Sequence, residues 1–232
     1  MSSERERALV PVLLSLTAVT GLVDAASVLG LGRVFTANMT GNVVFLGFAA
    51  AGAPELSLVR SGAALLAFFV GAAIGGRIGA PIGAGSVERP TSAALGLEAA
   101  LLLAATGVAF GAGSDLSVVP TRLYAVIGLT GLAMGIRNAV VRKLAVPDLT
   151  TTVLTMTITG LAADSPAAGG DGPRWSRRVA SVAIMFAGAA AGAWLVARSV
   201  AHALAIAGVV STLAALSARR RLCRAERTVA PH

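Results

Sequence analysis

Apolar blocks of about twenty residues recur from one end of this chain to the other, as unbroken runs without strand-like alternation. A helical run of that length spans about 30 Å of hydrocarbon, whereas a barrel strand would alternate polar and apolar positions. The blocks therefore select an all-α fold, a polytopic transmembrane helix bundle. Composition agrees: 56% of the 232 residues are hydrophobic and 13% charged, with mean hydropathy +0.80. Soluble domains run nearer about 45–50% apolar and about 25% charged. The net charge of +8 would suggest nucleic acid for a soluble chain. Here the basic residues cluster in loops and near the C-terminus, as membrane topology demands, and no nucleic-acid partner is expected. A single cysteine, Cys223, rules out an internal disulfide. The stretch from Ala8 to Leu31 is long for a signal-peptide core and contains an acid, so it reads as a retained first helix.

Eight segments are expected, over about 8–30, 37–51, 61–82, 92–110, 123–141, 150–163, 179–197 and 200–216, in one transmembrane domain covering 1–232. The second and sixth are short. At about 15 residues the second reaches only about 22 Å. Two matches in the same order divide the chain into related halves, about 8–113 and 120–217, followed by a basic tail, 218–232. The first lays Gly21 on Gly135, Asp24 on Asn138, Phe35 on Leu149 and Thr36 on Thr150. The second lays Phe69, Gly71 and Gly75 on Phe186, Gly188 and Gly192. Gly71, Gly75, Gly79 and Gly83 fall on one helix face, where small residues let helices approach in lipid.

Charge decides how many segments cross. If the short segments add no crossing, six spans remain and both ends are cytoplasmic. Arg5, Arg7, Arg77, Arg89, Arg142, Lys143, Arg174, Arg177, Arg178 and the tail, with Arg219, Arg220, Arg221, Arg224 and Arg227, then lie inside. Arg33, Arg60, Arg122 and Arg198 lie outside. Eight full spans would put Arg77, Arg89, Arg142 and Lys143 outside, so six obey the positive-inside rule better. Three spans per half make the halves face opposite ways, as in inverted-repeat carriers with broken helices.

Polar residues inside this apolar chain are the candidate site. Asp24 costs at least about 2.5–3.5 kcal/mol at the centre of a span, so it calls for a cavity or a partner. It reads as a proton or cation site, or as a partner of Arg137. Thr36, Asn38, Thr40 and Asn42 carry donors and acceptors at helical spacing; they line a passage or hydrogen-bond between helices. Asn138 is the uncharged counterpart of Asp24. Thr150, Thr151, Thr152, Thr155 and Thr157 form the opposite wall or satisfy their own helix carbonyls. Glu98 reads as a second proton carrier or, by preference, as a partner of Arg77, and Arg137 as an anion contact or, by preference, as a partner of Asp24 or a snorkelling side chain. Arg33 meets an anionic solute or a lipid headgroup.

No HExxH, GxSxG, P-loop or Cys/His cluster occurs, and neither His202 nor His232 has a triad-like neighbour, so no enzyme, cofactor or metal is expected. The runs Gly-Leu-Val-Asp-Ala (21–25), Val-Phe-Thr-Ala-Asn-Met-Thr-Gly-Asn (34–42), Gly-Ile-Arg-Asn-Ala (135–139) and Thr-Thr-Thr-Val-Leu-Thr (150–155) resemble the signature of the YoaK-like bacterial integral membrane proteins, a family of unknown function. The likeness implies a single multi-span domain in the bacterial inner membrane. That family tends to carry an amide where this chain has Arg137. The leading expectation is a secondary transporter or channel-like carrier of a small solute or ion, with Asp24 as coupling acid. The alternative is a non-transporting scaffold or accessory protein. Membrane lipid is the expected partner under both, and homo-oligomerisation through the glycine faces suits the second.

Overall fold

Helices make up most of the computed structural model, which describes residues 3–172 and 174–229, with side chains over 4–172 and 174–225. Among the described residues these are α1 (Ser3–Gly30), α2 (Met39–Ala50), α3 (Leu58–Ile78), α4 (Glu88–Ala109), α5 (Pro120–Leu144), α6 (Thr155–Ala163), α7 (Trp175–Val196) and α8 (Val200–Val229). Short 3-10 turns follow α3 and α6, at Ala80–Ala84 and Pro166–Ala168. Six helices, all but α2 and α6, are long and apolar enough to cross a membrane. At 12 and 9 residues, α2 and α6 reach only about 18 and 14 Å.

Helix ends follow local chemistry. Ser57 caps α3, its hydroxyl accepting the Arg60 N–H at 3.3 Å. Pro120 opens α5, where its missing N–H costs nothing. α1 stops at Gly30 because Gly32 and Arg33 both take left-handed backbone, φ 74° and 58°. α5 stops where Ala145 does the same, φ 50°, and Pro147 prevents its resumption.

At the centre, α8 packs on both α1 and α4, and α4 packs on α5. α7 lies against α1, and α3 against α5. The outer seams are close because they are built on glycine. Gly71 and Gly75 of α3 rest on the backbone of Leu132 and Ile136, and Gly188 and Gly192 of α7 on that of Ala18 and Leu22. A methyl at Gly71, Gly75 or Gly188 would strike a carbonyl oxygen. Close backbone approach maximises dispersion contact in lipid. Gly79 continues the α3 row toward Lys143, but Gly83 leaves it for open space in the 3-10 turn.

Contacts between helix ends sort the chain into two faces. On one, the Gly30 carbonyl accepts the Leu116 N–H at 2.9 Å, the Gly113 carbonyl accepts the Val200 N–H at 3.0 Å, and Arg33 pairs with Glu55. On the other, Lys143 Nζ donates to the Gly76 carbonyl at 2.9 Å, Arg177 pairs with Glu6 at 2.8 Å, and Arg219 reaches Glu88 at 3.7 Å. The start of α1 and the end of α8 share this second face with most of the arginines. We call it the basic face.

Several expected boundaries need correction. The second and sixth segments begin as helix only at Met39 and Thr155, so Thr36, Asn38, Thr150, Thr151 and Thr152 lie on extended or turning chain. Helical spacing therefore fails for Thr36–Thr40 and Asn38–Asn42. α8 continues through the basic tail to Val229. His232 and the Arg227 side chain lie outside the described residues.

Candidate functional site

Both short helices follow a chain that turns back into the bundle. After Gly30 the loop 31–38 descends along α1, burying Leu31, Val34, Thr36 and Ala37, until the Ala37 N–H lies beside the Asp24 carboxylate. Asp24 is six residues before the end of α1, about 9 Å along its axis. α2 then returns toward the face it came from, packing on α3, with Glu55 beyond its end paired to Arg33. The turn is locked by Asn42. Its side-chain amide donates to the Phe35 carbonyl at 2.5 Å, its oxygen accepts the Phe35 N–H at 3.0 Å, and Phe35 stacks on Phe45. Asn42 thus satisfies backbone that would otherwise be stranded in lipid.

The second excursion enters from the basic face. After α5 the loop 145–154 climbs until the Thr151 carbonyl accepts the Thr20 hydroxyl of α1 at 2.8 Å, and the Thr152 hydroxyl donates to Asn138 Oδ1 at 2.6 Å. Asn138 is six residues from the end of α5, again about 9 Å deep. Asp148 and Thr151 carry left-handed backbone on the way, φ 63° each. α6 then returns to the basic face, where Arg178 of α7 holds it. That guanidinium donates to the Gly160 carbonyl at 2.6 Å, to Asp164 at 2.7 Å and to Asp148 at 3.0 Å, and Arg174 meets Asp148 at 2.6 Å.

The tips of the two hairpins meet. Asn38, Thr40 and Gly41 of the first and Thr152, Leu154 and Thr155 of the second line one cavity of about 330 Å³. Neither α2 nor α6 has its N-terminus capped by a side chain. Thr152 and Val153 also line a larger cleft of about 820 Å³ between α3 and α5, with Asn138 and Thr150 in its wall and Arg142 and Lys143 toward the basic face.

Beside the tips lies a buried charged network. Arg137 and Glu98 have fully buried side chains and pair at 3.1 Å. Arg137 also donates to the Leu16 carbonyl at 3.0 Å and to Thr20 Oγ1 at 2.6 Å; Ser211 donates to Glu98 at 3.0 Å. Thr20 thus accepts from Arg137 and donates to the tip of the second hairpin. Five buried polar atoms in this region find no hydrogen-bond partner among the described residues: Asp24 Oδ1, Thr36 Oγ1, Glu98 Oε2, Arg137 Nε and Thr151 Oγ1. Each orphan of this kind costs about 1–3 kcal/mol.

Most expected residues are therefore brought together, in changed roles. Glu98 pairs with Arg137 and not with Arg77, which lies at the basic end of α3. Arg137 is within electrostatic reach of Asp24, but its direct ion pair is with Glu98. Arg33 pairs with Glu55 on the surface. Thr150 closes its own turn, its hydroxyl donating to the Val153 carbonyl at 2.9 Å, and Asn42 is turned away from any passage. Thr20 and Ser211 were not singled out from the sequence. A hydroxyl one helical turn before Asp24 was the available signal for Thr20; nothing local marks Ser211.

The chain matches the family described as "Protein of unknown function (DUF1275)" over residues 12–217. It is also similar to the "UPF0700 transmembrane protein YoaK" of Bacillus subtilis (strain 168), 35% identical over 158 residues. That alignment covers 66% of this chain and 65% of the relative, so just under two thirds of the relative's length is spanned. No solved structure matches.

Proposed function

This chain belongs to the DUF1275 family of YoaK-like transmembrane proteins, and we propose that it is a carrier or channel-like protein for a small solute or ion, with no enzymatic step of its own. One observation carries the reading: two hairpins entering from opposite faces bring polar tips together at mid-depth, around a shared cavity that opens on the flank of the bundle, where Thr40 and Thr155 are exposed. Exposed irregular backbone is not tolerated in hydrocarbon unless it is buried in protein or lines a polar cavity. Unwound segments flanked by half-helices near the midplane are how secondary carriers build their sites. The unpartnered polar atoms around Asp24 suit a site that takes up a ligand or a proton.

In this reading Asp24 is the coupling group. Asn38, Thr40, Thr152 and Thr155 line the passage, and the cleft beside Asn138 is its vestibule on the basic face. That face is cytoplasmic by the positive-inside rule, in the inner membrane. The two halves form an inverted repeat. In support, the seams pair equivalent residues. With Gly21 laid on Gly135, the α1 residues Ala18 and Leu22 correspond to Leu132 and Ile136 of α5. Gly188 and Gly192 touch the former pair, and Gly71 and Gly75 the latter.

The test uses the single native cysteine. On a Cys223→Ser background, Asn38→Cys and Thr155→Cys are exposed, in proteoliposomes, to a membrane-impermeant thiol reagent from each side. Modification from at least one side is expected, together with a pyranine-detected proton flux that Asp24→Asn removes. Cysteines inert from both sides, or flux unchanged by Asp24→Asn, would defeat the reading. A scaffold role has less support, because Gly71, Gly75, Gly188 and Gly192 are consumed by internal seams.

A further inference from the structure

Between the first turns of α1 and the last turns of α8, on the basic face, lies a cleft of about 740 Å³. One wall carries Arg7, Arg220, Arg221 and Arg224, and Glu4 is the acid among its described lining residues. The other is apolar, built on Leu213 and Leu216, which are 61% and 50% exposed on the flank of the bundle. Depth orders these groups. About 20 helical residues cross the hydrocarbon. Counted from Val200, the hydrocarbon therefore ends near Arg219, leaving Leu213 and Leu216 at acyl-chain depth and the arginines at headgroup depth. Ser217 accepts the Arg221 Nε–H at 3.1 Å and holds that guanidinium at the boundary.

We propose that this cleft binds an anionic phospholipid. The phosphate is taken by the arginines and an acyl chain lies along Leu213 and Leu216. A water-soluble anion would use the first wall and have no need of the second. A zwitterionic lipid would use the second and leave the excess positive charge unmatched. Guanidinium groups suit the phosphate because their planar fork meets two of its oxygens at once, and basic pockets between spanning helices are where anionic headgroups dock. The neighbouring groove between α4 and α8 is an internal control. It holds about 560 Å³ on the same face, but there Glu88 reaches Arg219 at 3.7 Å, which leaves only Arg89 without an opposing acid among its lining residues. This inference does not depend on the transport reading.

The full chain, purified in neutral detergent and stripped of lipid, is titrated with phosphatidylglycerol and, separately, with phosphatidylcholine of the same acyl chains. Thermal unfolding and native mass spectrometry are the readouts. Phosphatidylglycerol is expected to raise Tm by about 2–4 °C, with a discrete bound lipid in the spectrum; phosphatidylcholine is not. Arg220→Gln alone should weaken the phosphatidylglycerol effect about tenfold, the loss of one charge-assisted contact. Arg7→Gln/Arg220→Gln/Arg221→Gln should abolish it, and Arg89→Gln/Arg219→Gln should leave it intact. The single variant decides if the triple one fails to fold. Equal stabilisation by phosphatidylcholine overturns the proposal. So does equal stabilisation by inorganic phosphate, which would mark a plain anion site, or an equal loss from the control groove.

Discussion

Replacing Glu98 by methionine leaves the Arg137 guanidinium buried without its counter-charge, and the structure sets how much that should cost. Both side chains are fully buried. Breaking such a pair from one side costs about 3–5 kcal/mol, mainly the desolvation of the ion left behind. Arg137 retains three neutral acceptors, the Leu16 carbonyl, Thr20 and the Met134 sulfur, so Glu98→Met belongs near the lower figure. Arg137→Met should cost more, because Glu98 keeps only the Ser211 hydroxyl among the described residues. Replacing both by methionine removes both charges and fills comparable space. The double variant should then cost less than the sum of the two single changes, with a coupling of about 2–3 kcal/mol. The assay is reversible unfolding in mixed micelles, fitted for all four proteins of the cycle. In Tm, each single change corresponds to roughly 6–20 °C for a chain of this size. Single losses below about 1 kcal/mol, the range of exposed pairs, would refute the reasoning, as would simple additivity.

The glycine seams make a sharper local prediction: Gly71→Ala and Gly188→Ala should each cost about 1–3 kcal/mol, since the new methyl meets backbone. Gly47→Ala and Gly62→Ala, which face open space, should cost nothing measurable in the same melts. At the basic face, burial pushes the Asp148 carboxyl up, but the hydrogen bonds and charges of Arg174 and Arg178 together pull it further down, below its ordinary value of 3.8. A carboxyl with a depressed folded-state pKa stabilises fully above its unfolded value and loses that contribution as pH falls through the folded one. The Tm gap between wild type and Asp148→Asn should therefore be the same at pH 7 and pH 5 and shrink only below about pH 3.8. A gap that closes between pH 7 and pH 5 would contradict the pairing.

Much of this was legible from sequence because lipid leaves a helix few choices. Hydropathy located the six candidate spans, and Arg and Lys positions sorted the helix ends into the two sets that lie together in the structure. The four-residue spacing of Gly71 and Gly75 announced a close seam. Part of what failed did so because a residue type does not reveal its partner when the partner lies on another helix. Glu98 had Arg77 one segment away, yet bonds to Arg137 because α4 packs on α5 at that depth. Asn38 and Asn42 looked like neighbours on a helix. The helix starts one residue after Asn38, and Asn42 turns back to close the loop before it. Left-handed backbone at Thr151, a β-branched residue that disfavours it, is imposed by tertiary contact and has no local signature.

The charges of the site are not shared evenly between the proposed halves, and that asymmetry has a consequence for motion. In the overlay that sets Gly21 on Gly135, Asp24 falls on Asn138 and Arg137 falls on Val23. The second hairpin is tied at its tip through Thr20 to Arg137 and at its base through Arg178 to Asp148 and Asp164. The first hairpin is tied mainly to itself, through Asn42 and Phe35, with an exposed Arg33–Glu55 pair at its base. In an inverted-repeat carrier the two end states exchange the conformations of the halves. Contacts available to one half only hold one end state, and each 1.4 kcal/mol of them is about a tenfold bias in population. The first hairpin should therefore be the one that opens. Thr36 and Thr151 test this fairly, being 0% and 2% exposed. With Cys223→Ser, a cysteine at Thr36 should react with an impermeant thiol reagent about tenfold faster than one at Thr151. Glu98→Met/Arg137→Met should narrow that difference by releasing the second tip. If Thr151→Cys reacts first, or the double change leaves the ratio where it was, the buried pair does not govern which hairpin moves.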